Sequence, residues 1–272
     1  MISVITPVYN GSRFIESCVQ TVIAQGCPDL EHIIIDGNST DKTGEIIKHY
    51  GERYSHVRWL SEPDRGQSDA MNKGIAMAQG ETIAILNVDD FYEPNVLNRV
   101  AEIFKELPEP SFVTGNCNVW DNEGNLIKVN KPVKLKLSNL LLGFDVNPFP
   151  INPSAYFYHK SLHDKIGLYD IHEDYVMDVD FLFRAVEGAA VTYVDEIWGN
   201  YRMLEGTKTV NSINSGKNTP RVERLIKLYR KKFILSTRIS LAVQYVFHKY
   251  ARKITRKLEK IVKGLFTKNW SQ

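Results

Sequence analysis

Short apolar runs alternate with helical spacing through the first hundred residues. Ile2–Thr6, His32–Asp36, Val57–Ser61 and Thr82–Asn87 are brief and largely apolar, and each precedes about 12 to 20 residues with apolar positions at i, i+3 and i+4. The pattern predicts a βαβ series. Local punctuation agrees with it. Asp41 or Thr40 can cap a helix running to Tyr50, Pro94 suits a first helical turn, and Gly80 follows a helix expected over Gln67–Gln79. Such alternation gives a mostly parallel sheet with right-handed crossovers, helices on both faces, and ligands at the carboxyl ends of the strands.

Past Pro110 the rhythm changes. Ser111–Asn116 reads as a strand, and Asn122-Glu-Gly124 reads as a turn between Cys117–Trp120 and Leu126–Val129, so antiparallel pairing is expected there. Pro148, Pro150 and Pro153 punctuate a loop before a strand-like Ser154–His159, and helices follow near Ser161–Ile166 and Tyr175–Gly188. After Thr209 the run VNSINSGKNTP predicts a linker or mobile loop. The domain division is therefore 1–215, with a nucleotide-binding half over 1–110 and an acceptor half over 111–215, followed by a helical tail over 216–272.

Composition changes this picture in two ways. With 43% hydrophobic and 24% charged residues in 272, the chain can bury a large core, which excludes global disorder and repeat architectures. The net charge of +2 hides a division: Lys217–Gln272 holds 16 Lys and Arg against 2 acidic residues, a local net of +14, leaving −12 over residues 1–216. Cys18, Cys27 and Cys117 form no CxxC pair, and Met1 leads straight into a strand rather than a leader segment. The expectation is a reducing, cytoplasmic location with no spanning helix.

Three polar clusters each end a predicted strand, namely Thr6-Pro-Val-Tyr-Asn10, Asp36-Gly-Asn-Ser-Thr-Asp41 and Asn87-Val-Asp-Asp90. A parallel sheet brings them to one edge. Asp89 and Asp90 follow an apolar run and would repel each other unless solvated or countered by a cation. Mg²⁺ or Mn²⁺ takes one or two protein carboxylates and completes its shell with water and phosphate oxygens, which suits a diphosphate substrate. Asp90 is read as the metal ligand, Asp89 as the partner of sugar or ribose hydroxyls, and Asn87 as the residue orienting the turn. A helix cap is the plain structural alternative.

These segments, with Ser61-Glu-Pro-Asp-Arg-Gly66, Asp69-Ala-Met-Asn-Lys-Gly74 and Met177-Asp-Val-Asp-Phe181, resemble family 2 inverting glycosyltransferases with the GT-A fold, in the family's order over residues 1–205. The resemblance implies that Thr6, Pro7, Tyr9 and Asn10 run past the nucleotide, and that Asp36 approaches the base and ribose. It also implies that Asp64, Arg65 and Asp69 line the nucleotide-sugar pocket. Where many relatives carry a second acid after Asp36, this chain has Gly37. Asp178 matches the second acid of the family's base motif, whose first position is Met177 here. Asp180 has a separate explanation, an i, i+4 pair with Arg184. Glu173 and Asp174 are the other candidates for the base.

The expected activity is metal-dependent transfer of a sugar, first of all from a UDP-sugar, to a glycan or lipid-linked hydroxyl in surface polysaccharide synthesis. A sugar-phosphate nucleotidyltransferase should carry a glycine-rich basic loop after the first strand, where this chain has Pro7-Val-Tyr-Asn10. A catalytically silent scaffold would bind nucleotide without turnover. The tail interleaves apolar and basic residues at helical spacing, which predicts peripheral docking on an anionic membrane in preference to nucleic acid. Packing of the tail on the acidic domain, or a homo-oligomeric contact, is the alternative.

Overall fold

The computed structural model describes residues 1–251 apart from Asp145, Asp174, Lys217 and Lys249. The basic apolar stretch 252–272 and the fallback base Asp174 therefore lie outside the described residues. Among the described residues nine strands form one sheet: β1 (Ile2–Val8), β2 (Leu30–Asp36), β3 (Val57–Ser61), β4 (Thr82–Ile85), β5 (Phe91–Tyr92), β6 (Ser111–Trp120), β7 (Leu126–Asn130), β8 (Tyr156–His159) and β9 (Ala190–Arg202). The order is β3-β2-β1-β4-β8-β6-β9-β5, with β7 paired to β6.

Strand periodicity explains how the sheet is clothed. Ile5, Ile33, Ile35, Ile83 and Ile85 point to one face and pack with α3 (Gln67–Met77) and α7 (Met177–Gly188). The alternate positions Val4, Ile34, Ala84 and Leu86 point the other way, toward α1 (Ile15–Ile23), α2 (Thr43–Arg53) and α4 (Val96–Lys105). Strands buried on both faces read as continuous apolar runs, each large side chain contributing about 1.5–3 kcal/mol. The β1–β4 half is parallel throughout, as expected.

The second half mixes directions. β8 runs antiparallel to β4 and β6, and β7 forms the expected hairpin with β6. The long β9 lies parallel to β6 and receives the two-residue β5 on its other side. Short helices α5 (Leu137–Leu140) and α6 (Leu162–Ile166) flank the loop that ends in a 3-10 turn at Pro153–Ala155.

The segment expected to be a linker is instead helical: α8 spans Lys208–Asn214 and buries Val210 and Ser212. Tertiary contact there overrides a turn-rich composition. Next, α9 (Asn218–Arg230) places Val222, Ile226 and Tyr229 in the same apolar cluster as α7. Packing is thus continuous across the boundary drawn at 215/216. Residues 235–248 form one further helix.

Candidate active site

β1, β2 and β3 end in register, with Val8 beside Asp36 and Asp36 beside Ser61, so the polar segments that follow share one rim. Buried Asp36 accepts from Ser39 N at 3.1 Å on Oδ1 and from Ser61 Oγ at 2.6 Å on Oδ2. Asn10 adopts a left-handed φ of 51°, and its Oδ1 accepts from Thr40 N at 2.9 Å. Its own N–H donates to Ser39 Oγ at 2.7 Å, which ties the two loops together. Tyr9 is 63% exposed on this rim. Pro7 is a buried strand residue. The Thr6 side chain departs from expectation: it is fully buried, with Oγ1 2.9 Å from His32 Nε2, and so faces the interior rather than a ligand.

Asp64 and Gly37 form a complementary pair. A Cβ at Gly37 would lie 2.5 Å from Asp64 Oδ2, so the missing side chain makes room for a carboxylate from the next loop. Asp64 Oδ1 in turn accepts from Gly66 N at 2.8 Å. Arg65 Nη2 donates to Asp69 Oδ1 at 2.7 Å at the start of α3, an i, i+4 pair whose Arg side is largely exposed. Asp69 is held below the usual carboxylate range by Arg65.

After β4 the three polar residues divide sharply. Asp90 is 2% exposed, and its Oδ2 accepts from Asn87 Nδ2 at 2.9 Å and from Asn152 Nδ2 at 2.7 Å. Its Oδ1 accepts from Arg202 N at 3.1 Å. Both amides are fixed in this orientation, because Asn87 Oδ1 accepts from Gln67 Nε2 at 2.9 Å and Asn152 Oδ1 from Ser154 N at 2.8 Å. Burial, and then the charge of Asp89, push the Asp90 carboxyl upward. Asp89 is partly exposed; partial burial raises its pKa, opposed by its own backbone N–H and by the charge of Arg202.

On the other side of Asn87 opens a cavity of about 650 Å³, lined among others by Gln67, Asn152, Tyr156, Tyr201, Lys208 and Asp178. Asp178 stands in the first turn of α7, and one carboxylate oxygen accepts from Val179 N at 2.8 Å. Burial raises its pKa and Glu173 adds to the rise, while Lys208 opposes it. Asp180 faces elsewhere: it accepts from Arg184 Nε and from Tyr229 Oη, each at 2.8 Å. The i, i+4 pair expected of Asp180 and Arg184 is thus formed, away from the cavity that Asp178 lines.

Comparison with known proteins decides the family, since the model of "Glycosyl transferase family 2" matches residues 3–166. The chain belongs to glycosyl transferase family 2. Chondroitin synthase of Escherichia coli is 35% identical over 214 residues, covering 77% of this transferase, which spans only 30% of that relative's length. Among solved structures, TarS 1-349 of S. aureus in complex with UDP-GlcNAc superposes with a TM-score of 0.67 at 19% identity, over 92% of this chain and 72% of that one. The mannosyltransferase PcManGT from Pyrobaculum calidifontis, in complex with GDP-Man and Mn²⁺, gives 0.64 at 17% identity, over 90% and 68%. The transferase has the GT-A fold.

A divalent ion shared with a diphosphate needs one or two carboxylate oxygens that no donor already occupies. Asp89 meets that requirement. Asp90 offers less, because two N–H donors point at its Oδ2 and a third at its Oδ1. Among the described residues no three His, Cys, Asp or Glu side chains cluster as a metal cage. Sequence reading missed Asn152, Gln67, Ser39 and Ser61, all of which hold site carboxylates or their neighbours. Asn152 lies between two prolines in a loop 62 residues beyond Asp90, and only the fold brings the two together.

Proposed function

We propose that this transferase moves a sugar from a nucleoside diphosphate donor to a hydroxyl of a glycan or lipid-linked acceptor, inverting the anomeric centre. The observation that carries the reading is the position of Asn87, which holds the loop of Asp89 on one side and lines the Asp178 cavity on the other. Donor and acceptor chemistry thus meet at one residue.

Tyr9 and Asp64 line the base and ribose, Asp64 supplying the carboxylate that Gly37 lacks, while buried Asp36, its oxygens taken by Ser39 and Ser61, orders the two loops beneath them. Asp89, rather than Asp90, would hold Mg²⁺ or Mn²⁺. The ion, when bound, draws charge from the departing group. Asp178 accepts the acceptor proton as the hydroxyl oxygen bonds to the anomeric carbon and the bond from that carbon to the diphosphate breaks. A pKa raised by burial suits a base that must hold a proton briefly. Asp90 keeps the Asp89 loop in place.

TarS, which shares the fold, is seen with UDP-GlcNAc, so UDP-sugars come first in a donor screen. Release of nucleoside diphosphate is the readout. The expected result is acceptor-stimulated release that EDTA abolishes and Mn²⁺ or Mg²⁺ restores. Release that is indifferent to both acceptor and EDTA would overturn the reading.

A further inference from the structure

The helix over residues 235–248 has two apolar sides, and only one meets the protein. Leu241 is 3% exposed, and Tyr245 lies on the same side and lines the cavity. Arg230, at the end of α9, helps fix this corner through bonds to Leu141 O and a guanidinium 5.3 Å from the Tyr245 ring. On the other side Leu235, Ile239, Val243, Val246, Phe247 and Tyr250 are 49% to 68% exposed. At about 100° per residue these six fall within an arc of about 120°, centred nearly opposite Leu241. An outward helix face in water is ordinarily polar. Ser236 is the exposed polar residue inside this arc, and otherwise polar residues occupy the flanks, with Ser240 and Gln244 along one border and Arg238 along the other.

We infer that this outward face seats on an anionic lipid bilayer and lies in the plane of the interface. Charge selects this occupant over the same face of a second copy of the chain. The face is embedded in a stretch with 16 basic and 2 acidic residues, so pairing two copies would bring together two segments of net +14. Anionic headgroups neutralise that charge while the apolar face enters the acyl boundary. The helix lies on the bilayer and does not cross it: no helix among the described residues is long and apolar enough to span. The same helix contributes Tyr245 to the Asp178 cavity, which sets that cavity near the lipid surface. The inference does not depend on the assigned catalytic roles.

The test is co-sedimentation of the full chain with vesicles of phosphatidylcholine containing about 30% phosphatidylglycerol, at about 0.05 M and about 0.5 M salt. Binding is expected at low salt, weakened at high salt and poor on pure phosphatidylcholine. Ile239→Glu/Phe247→Glu should lower partitioning at least tenfold, with an unchanged circular dichroism spectrum and unchanged donor turnover onto a soluble acceptor. Lys231→Glu/Arg238→Glu, which leaves the apolar face intact, should weaken low-salt binding several-fold. Three results would overturn the inference: no binding at low salt, equal binding by the apolar double variant, or a solution dimer that this variant dissociates.

Discussion

Asp178 occupies the first turn of α7, where unpaired backbone N–H groups favour an anion, yet its burial disfavours one. The balance leaves a carboxylate whose affinity for protons is above the ordinary. Asp178→Asn should therefore cut kcat by roughly 10² to 10⁴ with little change in donor KM, and it should remove the acid limb of the pH–rate profile. A defect confined to KM would assign Asp178 to binding. Asp89 and Asp90 allow a sharper contrast. Asp89→Asn should abolish metal-dependent turnover while leaving the melting temperature unchanged, because that carboxylate holds up little of the fold. Asp90→Asn places an amide N–H₂ among three donors, from Asn87, Asn152 and Arg202, and should destabilise the protein by about 1–3 kcal/mol. An Asp90→Asn protein that melts normally but no longer responds to metal would return the ligand role to Asp90.

At the level of elements, the approach of α3 to the sheet is set by one glycine. A Cβ on Gly74 would sit 2.3 Å from Ile5 Cγ2, and Ile5 is a β-branched residue buried in β1 with little freedom to retreat. Gly74→Ala gains helix propensity but overpacks this contact, and the net cost should be about 1–3 kcal/mol in denaturant unfolding. A stabilised Gly74→Ala protein would mean that α3 can shift outward. The same strands show why half the fold was legible in the sequence. β1 to β4 are buried on both faces, and their apolar runs declare them. β9 was not legible, because Ala190–Val194 lie at the margin of the sheet with both faces partly open, which erases the apolar–polar alternation. α8 was hidden by its Asn and Ser content, and only its burial of Val210 and Ser212 accounts for it. The rim carboxylates could be found from strand ends, whereas their donors, Asn152 above all, come from distant loops that no local pattern connects.

Across the whole molecule, stability should depend on pH through a histidine sealed beneath the candidate site. His32 lies in β2 between sheet and helices, fully buried, and its Nε2 is engaged with Thr6 while Nδ1 meets no partner among the described residues. Burial, with some repulsion from His56, pushes its pKa from 6.5 down to about 3. The unfolded chain then binds a proton that the native state refuses throughout the interval between those values. Stabilisation from a neutral His32 is complete above about pH 6.5 and is lost as the pH falls toward 3, at up to about 1.4 kcal/mol per pH unit. Carboxylates with raised pKa values, such as Asp178, act in the opposite sense, so the contribution of the histidine is separated by substitution. His32→Gln serves, since an amide can still meet Thr6 Oγ1 but does not titrate. Denaturant unfolding of the two proteins between pH 7 and pH 5 should show their stability difference changing by about 2 kcal/mol in favour of the variant at the lower pH. A constant difference across that range would mean that His32 is reached by water and protonates in the native state, which would open a route from solvent to the underside of the rim.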